Sequence, residues 1–333
     1  MNETPPCKFT GPEVDPQLAE LLEKLPTRHL SLDTLAEFRA TSLIDPSPPR
    51  EVGISWYQIL SDPRGSASVF VYRPPGKGPF PCIYYIHGGG LVAGRAGDLH
   101  GFLAPLTLEL SCIIVSVEYR LAPEHPFPAA IDDCHAGLVW TFENAARLGI
   151  DPRCIGVMGA SAGGGLAASL ALLVRDQAIY QLTFQHLIYP MLDDRTGTTR
   201  AAGAFVGRHV WTAQNNSFGW QSYLRDLAGS EKVPPYAAAA RASDLSDLPP
   251  TLLAVGALDL FVEENMEYAR RLIIAGVPTE LHIYPGAYHG FDLAPSAAVA
   301  ADCREASLKS LRSVMARAQA IAPPSTISCV PVT

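Results

Sequence analysis

CIGVMGASAGGGLAASLALLV, residues 154–174, is the stretch on which the reading of the fold turns. It opens as a short apolar run of strand character, passes through Gly159-Ala160-Ser161-Ala162-Gly163, and continues as an Ala- and Leu-rich helix pattern. A strand that turns tightly between glycines straight into a helix is half of a parallel βα unit. The alternation extends in both directions. Upstream lie PCIYYIH (81–87), a helix near 98–110, CIIVSVEY (112–119) and a helix near 128–148. Downstream lie LTFQHLIYP (182–190), PTLLAVGA (250–257), a helix near 261–275, PTELHIYP (278–285) and a helix near 296–318. Earlier, ISWYQIL (54–60) and SASVFVYR (66–73) flank SDPRG and read as a hairpin at the sheet's edge. Short, unalternating strands between helices predict an α/β fold with a mostly parallel central sheet covered on both faces.

Two stretches fall outside that rhythm. Residues 1–50 are Pro-rich, with short helical patterns at 18–25 and 31–44 and Ser31 placed to cap the second. About 50 residues after LTFQHLIYP carry Gly, Thr, Asn and aromatic side chains in place of a βα unit. The chain thus divides into an arm (1–45), a core (46–189 and 241–320), an insertion (190–240) and a tail (321–333).

Composition excludes several roles. Of the 333 residues 48% are hydrophobic and 17% charged, which rules out disorder for the bulk. A net charge of −8 without a Lys/Arg block removes nucleic acid as a partner. The longest apolar run, GLAASLALLV at 165–174, is half of the ~20 residues a bilayer requires. The N-terminus shows no basic region followed by an apolar stretch, and Cys329 stands fifth from the end, one place away from a prenylation box. The expectation is a cytoplasmic protein with no membrane anchor. Cysteines at 7, 82, 112, 134, 154, 303 and 329 form no CxxC pair, so neither a disulfide framework nor a metal site is expected.

The chemistry begins at Gly159–Gly163. G-x-S-x-G between strand and helix presents a serine clear of the sheet, where a base can reach it, and makes Ser161 the candidate nucleophile. HGGG at 87–90 also follows a strand, so backbone N–H groups of Gly88, Gly89 and Gly90, with that of Ala162, are candidates for an oxyanion hole. The order serine, acid, histidine selects Asp259 and His289, each in a loop just after a strand, with Asp193 and Asp194 as competing acids. His125 and His135 precede Ser161, His186 and His282 lie within strands, and His209 lies in the insertion. Phe205, Trp211, Phe218 and Trp220 are candidates for the substrate pocket.

With these residues in place the sequence resembles the bacterial hormone-sensitive-lipase-like esterases, or family IV carboxylesterases, over about residues 50–315. HGGG (87–90), YRLAPEHPFPAAIDD (119–133), GASAGG (159–164), LDLFVEE (258–264) and YHGF (288–291) occur in that family's order. The resemblance implies the α/β-hydrolase fold, a cap built from the arm and the insertion, and the same nucleophile, acid, base and oxyanion donors. It also implies an enzyme without a cofactor that hydrolyses short-to-medium acyl or aryl esters through an acyl-enzyme, and it allows a homodimer. Two positions depart from the family: Ala160 replaces Asp or Thr before the nucleophile, and Leu260 replaces Pro after the acid, while Glu264 keeps the motif's final acidic place. Alternatives left open are a same-fold hydrolase of an amide, carbamate, lactone or particular natural-product ester, and a non-catalytic receptor of the gibberellin-receptor type.

Overall fold

The computed structural model describes residues 13–25, 29–40, 47–62 and 65–320. The arm contributes a 3-10 turn (Pro16–Leu18), α1 (Ala19–Lys24) and α2 (Leu35–Arg39). Next come β1 (Gly53–Asp62), β2 (Gly65–Arg73), β3 (Phe80–Ile86), α3 (His100–Leu110), β4 (Ile113–Glu118), α4 (Ala129–Glu143), α5 (Ala145–Leu148), β5 (Ile150–Ala160) and α6 (Ala162–Gln177). They are followed by β6 (Gln185–Ile188), α7 (Ala213–Leu224), β7 (Thr251–Gly256), α8 (Val262–Ile274), β8 (Thr279–Tyr284) and α9 (Ala298–Ala320). The strands form one sheet in the order β1-β2-β4-β3-β5-β6-β7-β8, antiparallel only at β1/β2 and β2/β4. The expected α/β-hydrolase fold, with its mostly parallel sheet, is the observed one.

Each face of the sheet carries its own apolar layer, as unalternating strands require. On one side Leu138 of α4, Leu166 of α6 and Tyr268 of α8 pack on Val115, Val157 and Leu253. On the other, Leu103 of α3 and Leu311 of α9 pack on Ile83, Ile114 and Leu252. Because β3, β5, β6, β7 and β8 are parallel, the loops after them open at one edge of the sheet, where ligands of open α/β sheets bind. Register brings the ends together: Ile86 pairs with Gly159, and Ala160 with Ile188.

Two expectations need correction. The helix predicted over 31–44 is only five residues long, Leu35–Arg39, and residues 41–44 lie outside those described. The Ser31 hydroxyl instead bonds the Thr34 N–H at 3.3 Å, closing a turn one residue short of the helix. The insertion is also more regular than its composition suggested. Poor helix formers in AQNNSFGWQSYL obscured α7, which tertiary bonds stabilise: buried Asn216 donates to the Thr196 carbonyl at 2.7 Å and accepts from the Trp211 indole at 3.2 Å. The predicted tail, 321–333, lies outside the described residues.

Candidate active site

Ser161 joins β5 to α6 with φ 56° and ψ −124°, a conformation that costs a non-glycine residue roughly 1–3 kcal/mol. The surroundings fix it. Its N–H donates to the Ile188 carbonyl at 2.9 Å, and its own carbonyl accepts from Met191 and Gly165, each at 3.0 Å. The flanking glycines are there for space: a Cβ on Gly159 would lie 2.3 Å from the Gly163 carbonyl oxygen, and one on Gly163 would lie 2.1 Å from that of Ile86. The first turn of α6 is therefore pressed against the end of β3, with the serine at the crest.

The ends of β7 and β8 bring the other two residues to it. His289 Nε2 stands 2.9 Å from Ser161 Oγ, and His289 Nδ1 stands 2.8 Å from Asp259 Oδ2. With Asp259 ionised, the network assigns the proton to Nδ1 and leaves Nε2 to accept from the serine hydroxyl. Asp259 is 1% exposed, and its second oxygen accepts the Phe261 N–H at 2.9 Å, which fixes the carboxylate's orientation. The imidazole is walled by the rings of Tyr189, Phe261 and Trp211, with centroids 4.6, 5.3 and 6.3 Å away.

The competing acids are otherwise engaged. Arg195 clasps Asp193 through two bonds of 2.8 Å, and Arg241 clasps Asp194 at 2.7 and 3.0 Å, with Gly229 N–H adding a third bond to Asp194. Glu264 turns away from the triad and accepts the Leu192 N–H at 2.7 Å, while burial pushes its carboxyl well above the usual range. Leu260, in the family's proline position, is buried against Gly207. Among the histidines outside the triad, His186 is buried in β6, His135 bonds Gln177 and His282 faces Glu280.

HGGG forms the opposite wall. Gly89 has φ 122°, and a Cβ there would lie 2.0 Å from the Ala93 carbonyl oxygen, so only glycine fits this turn. Gly88 passes so close to the Ala160–Ser161 turn that its Cβ would meet the Ala160 carbonyl oxygen at 2.9 Å. Gly90 presses on the Trp211 ring. None of the Gly88, Gly89 and Gly90 N–H groups is bonded to a backbone carbonyl among the described residues, and Ala162 opens α6, where a helical N–H has no intrahelical acceptor. His87 anchors the loop. Its ring stacks on Tyr119 at 4.1 Å, its Nδ1 meets the Gly88 carbonyl at 2.8 Å, and burial lowers its pKa to about 4, so it is neutral at pH 7.

Ser161, His289 and the three HGGG glycines line a cavity of about 340 Å³. Of the four aromatic candidates only Trp211 lines it. Trp220 is 1% exposed and belongs to the core, Phe218 packs half-buried against that core, and Phe205 lies exposed beneath the Arg208 guanidinium. Helical spacing on α7 explains the first two, because the face that anchors an insertion is as aromatic as one that meets a ligand. Tyr189 and Asp292 also line the cavity and were missed. Their positions carried a signal, since Tyr189 directly follows β6 and Asp292 is three residues beyond His289.

The arm closes the cavity from above with Lys24, Leu25, Phe38 and Arg39. Asp15 N–H donates to the Gly286 carbonyl at 3.0 Å, and the Tyr288 hydroxyl donates to the Leu18 carbonyl at 2.8 Å. Further on, Leu30 N–H donates to Asn215 Oδ1 at 2.9 Å, and Arg39 donates to the carbonyls of Val92 and Ala122. Its described segments thus touch the loop after β8, α7 and the loop after β3. Among the described residues no helix is long and apolar enough to cross a membrane.

Comparison with known proteins agrees in family and fold. The model of a family described as alpha/beta hydrolase fold matches residues 83–293. The carboxylesterase NlhH of Mycobacterium tuberculosis is 36% identical over 289 residues, covering 84% of this chain and 89% of the relative. An arylesterase of Saccharolobus solfataricus is 32% identical over 225 residues, covering 66% and 71%. Among solved structures, a bacterial heroin esterase superposes with a TM-score of 0.81 at 36% identity, covering 91% of this chain and 98% of that one.

Proposed function

Because the chain belongs to the α/β-hydrolase fold family, in its hormone-sensitive-lipase-like branch, and is a carboxylic ester hydrolase, we propose that Ser161 is its nucleophile, His289 its base and acid, and Asp259 the carboxylate that orients His289. Gly88, Gly89, Gly90 and Ala162 supply the oxyanion-hole N–H groups. The observation that carries this reading is the line from Ser161 Oγ to His289 Nε2 at 2.9 Å and from His289 Nδ1 to Asp259 at 2.8 Å.

In this mechanism His289 Nε2 takes the hydroxyl proton as Ser161 Oγ bonds to the ester carbonyl carbon, and the negative charge on the former carbonyl oxygen meets the backbone N–H groups. His289 returns the proton to the departing alkoxide, which leaves as the alcohol. Water then gives a proton to His289 and attacks the acyl-enzyme, and the acid leaves as Ser161 regains its proton. Asp259 stays ionised throughout and stabilises the transient imidazolium. Ala160 brings no side-chain hydrogen bond to the elbow, whose backbone is held by Ile188 and Met191.

Residues 1–45 and 190–240 form the cap of this reading and shape specificity, with the core as the catalytic unit. A cavity of about 340 Å³ with aromatic and aliphatic walls favours short-to-medium acyl or aryl esters. The free, buried cysteines 82, 112, 134, 154 and 303 suit a cytoplasmic setting. The test is turnover of a p-nitrophenyl ester series of increasing acyl length, with and without a serine-directed organophosphate. Inhibitable turnover that falls off with chain length is expected. Turnover untouched by the organophosphate would remove Ser161 from its role.

A further inference from the structure

Three residues past His289 stands a carboxyl group that the ester chemistry does not use. Asp292 lies in the short turn Phe291–Leu293 and lines the same cavity as Ser161. Its one side-chain donor among the described residues is the Tyr189 hydroxyl, which bonds its Oδ1 at 2.5 Å. Among the described residues no lysine or arginine pairs with it. The three cationic side chains that border the cavity are each matched elsewhere: Lys24 with Glu20 at 2.6 Å, Arg39 with Glu124 at 2.7 Å and Arg95 with Asp98 at 3.1 Å. Tyr189 touches Asp292, and Tyr85 and Phe102, whose rings meet edge to face at 6.1 Å, line the same cavity. A carboxylate without a cation, set among aromatic faces, is the chemistry that recognises an ammonium group. Burial raises the Asp292 carboxyl above the ordinary range, outweighing the Tyr189 hydrogen bond and the nearby His289, which pull it down.

The position within the site tells which half of the ester would carry that group. His289 hands its proton to the departing alkoxide, so the leaving group lies on the His289 side. Tyr189, the partner of Asp292, has its ring 4.6 Å from that of His289. We propose that Asp292, with the faces of Tyr189, Tyr85 and Phe102, is an ammonium subsite on the leaving-group side, and that esters of amino alcohols are preferred substrates. This deepens the ester-hydrolase reading and rests on its assignment of Ser161 and His289.

The experiment compares butyrylcholine with 3,3-dimethylbutyl butyrate, which has the same shape with carbon in place of the charged nitrogen. Wild-type enzyme should favour the ammonium ester by at least about tenfold in kcat/KM, chiefly through KM. Asp292→Asn should bring the ratio of the two substrates close to one. A wild-type ratio near one, or an equal loss on both substrates in Asp292→Asn, would overturn the subsite while leaving the ester-hydrolase reading standing. No turnover of either ester by folded wild-type protein that still hydrolyses p-nitrophenyl butyrate would overturn the subsite alone, whereas failure on all three would sink that reading and the subsite together. A measurement that needs no variant runs beside it: choline should inhibit p-nitrophenyl butyrate turnover at lower concentration than 3,3-dimethyl-1-butanol, and equal inhibition would count against the subsite.

Discussion

The C-terminal edge of the sheet and the cover above it are held by different kinds of contact. At the edge, backbone meets backbone so closely that one added carbon would collide: Gly159 on Gly163, Gly163 on Ile86, Gly89 on Ala93. The cover is held by side chains instead: Leu30, Leu35 and Trp220 sink into the core, and single hydrogen bonds cross long stretches of chain, such as Leu30 to Asn215 and Arg39 to Val92 and Ala122. Close packing of backbone leaves no room for adjustment, so the reacting groups stay within tenths of an ångström of their places. Single bonds can be exchanged one for another, so a cover built on them can be remodelled without disturbing the chemistry. Substitutions at the edge should therefore act on kcat and those in the cover on KM.

The largest expected effect tests the edge directly. Ser161→Ala should lower kcat by about 10⁶-fold, by analogy with other serine triads, with an unfolding transition close to the wild type's. Rapid-quench and denaturation measurements on the same preparation check both halves, and near-normal turnover would remove the nucleophile from Ser161. Next, Asp259→Asn should cost roughly 10⁴-fold in kcat, because the imidazole loses the partner that fixes its tautomer. Asp194→Asn should instead lower stability, since it leaves the Arg241 guanidinium, 7% exposed, without its full partner. Full activity in Asp259→Asn with loss in Asp194→Asn would move the acid to the loop after β6.

Acid should separate the two regions in a second way. Burial lowers His87 to about 4 and His186 to about 3, while both titrate near 6.5 once the chain unfolds. Between pH 6.5 and 4 the unfolded chain therefore binds protons that the folded one refuses, and stability falls as pH falls, by about 3 kcal/mol from His87 alone. The cover's ion pair acts in the same direction but at lower pH: Arg39 holds the Glu124 carboxyl down to about 2, so its small, solvent-screened contribution is lost only as pH falls from 4.5 towards 2. Urea midpoints across this pH range should decline less in His186→Leu than in the wild type. Identical slopes would mean that His186 does not contribute to acid sensitivity.

The same contrast explains what could be read in the sequence. Edge contacts demand particular residues at particular spacings, so G-x-S-x-G and HGGG marked the end of β5, the end of β3 and the proposed nucleophile, and chain order led to Asp259 and His289. The sheet followed from its apolar strands. The cover leaves no such trace. Leu30 offers its backbone N–H to Asn215 across 185 positions, a bond that any residue but proline could donate. AQNNSFGWQSYL has weak helix propensity and becomes helical through the partners of Asn215 and Asn216, which no local pattern reveals. Aromatic content misled for a related reason: Trp220 and Trp211 look alike in sequence, yet the turn of α7 sends one into the core and the start of the helix leaves the other above His289.

The smallest expected effect probes the seam between the regions. Arg39 donates to the Val92 carbonyl at 2.7 Å, to the Ala122 carbonyl at 3.0 Å and to both oxygens of Glu124 at 2.7 Å. Two of those four bonds reach the loop that carries HGGG and the loop after β4, and the other two end on a half-exposed carboxylate. Arg39→Ala removes all four, and because Arg39 itself lines the cavity the loss falls on the cavity's wall. KM for a p-nitrophenyl ester should therefore rise roughly fivefold with kcat changed less than about twofold. Glu124→Gln should do less, since an ion pair at the rim contributes about 0–1 kcal/mol and is screened by salt. The informative quantity is the ratio of the two parameters. A fall in kcat as large as the rise in KM would show that Arg39 reaches the oxyanion wall through Val92, and the cover would then belong to the catalytic unit.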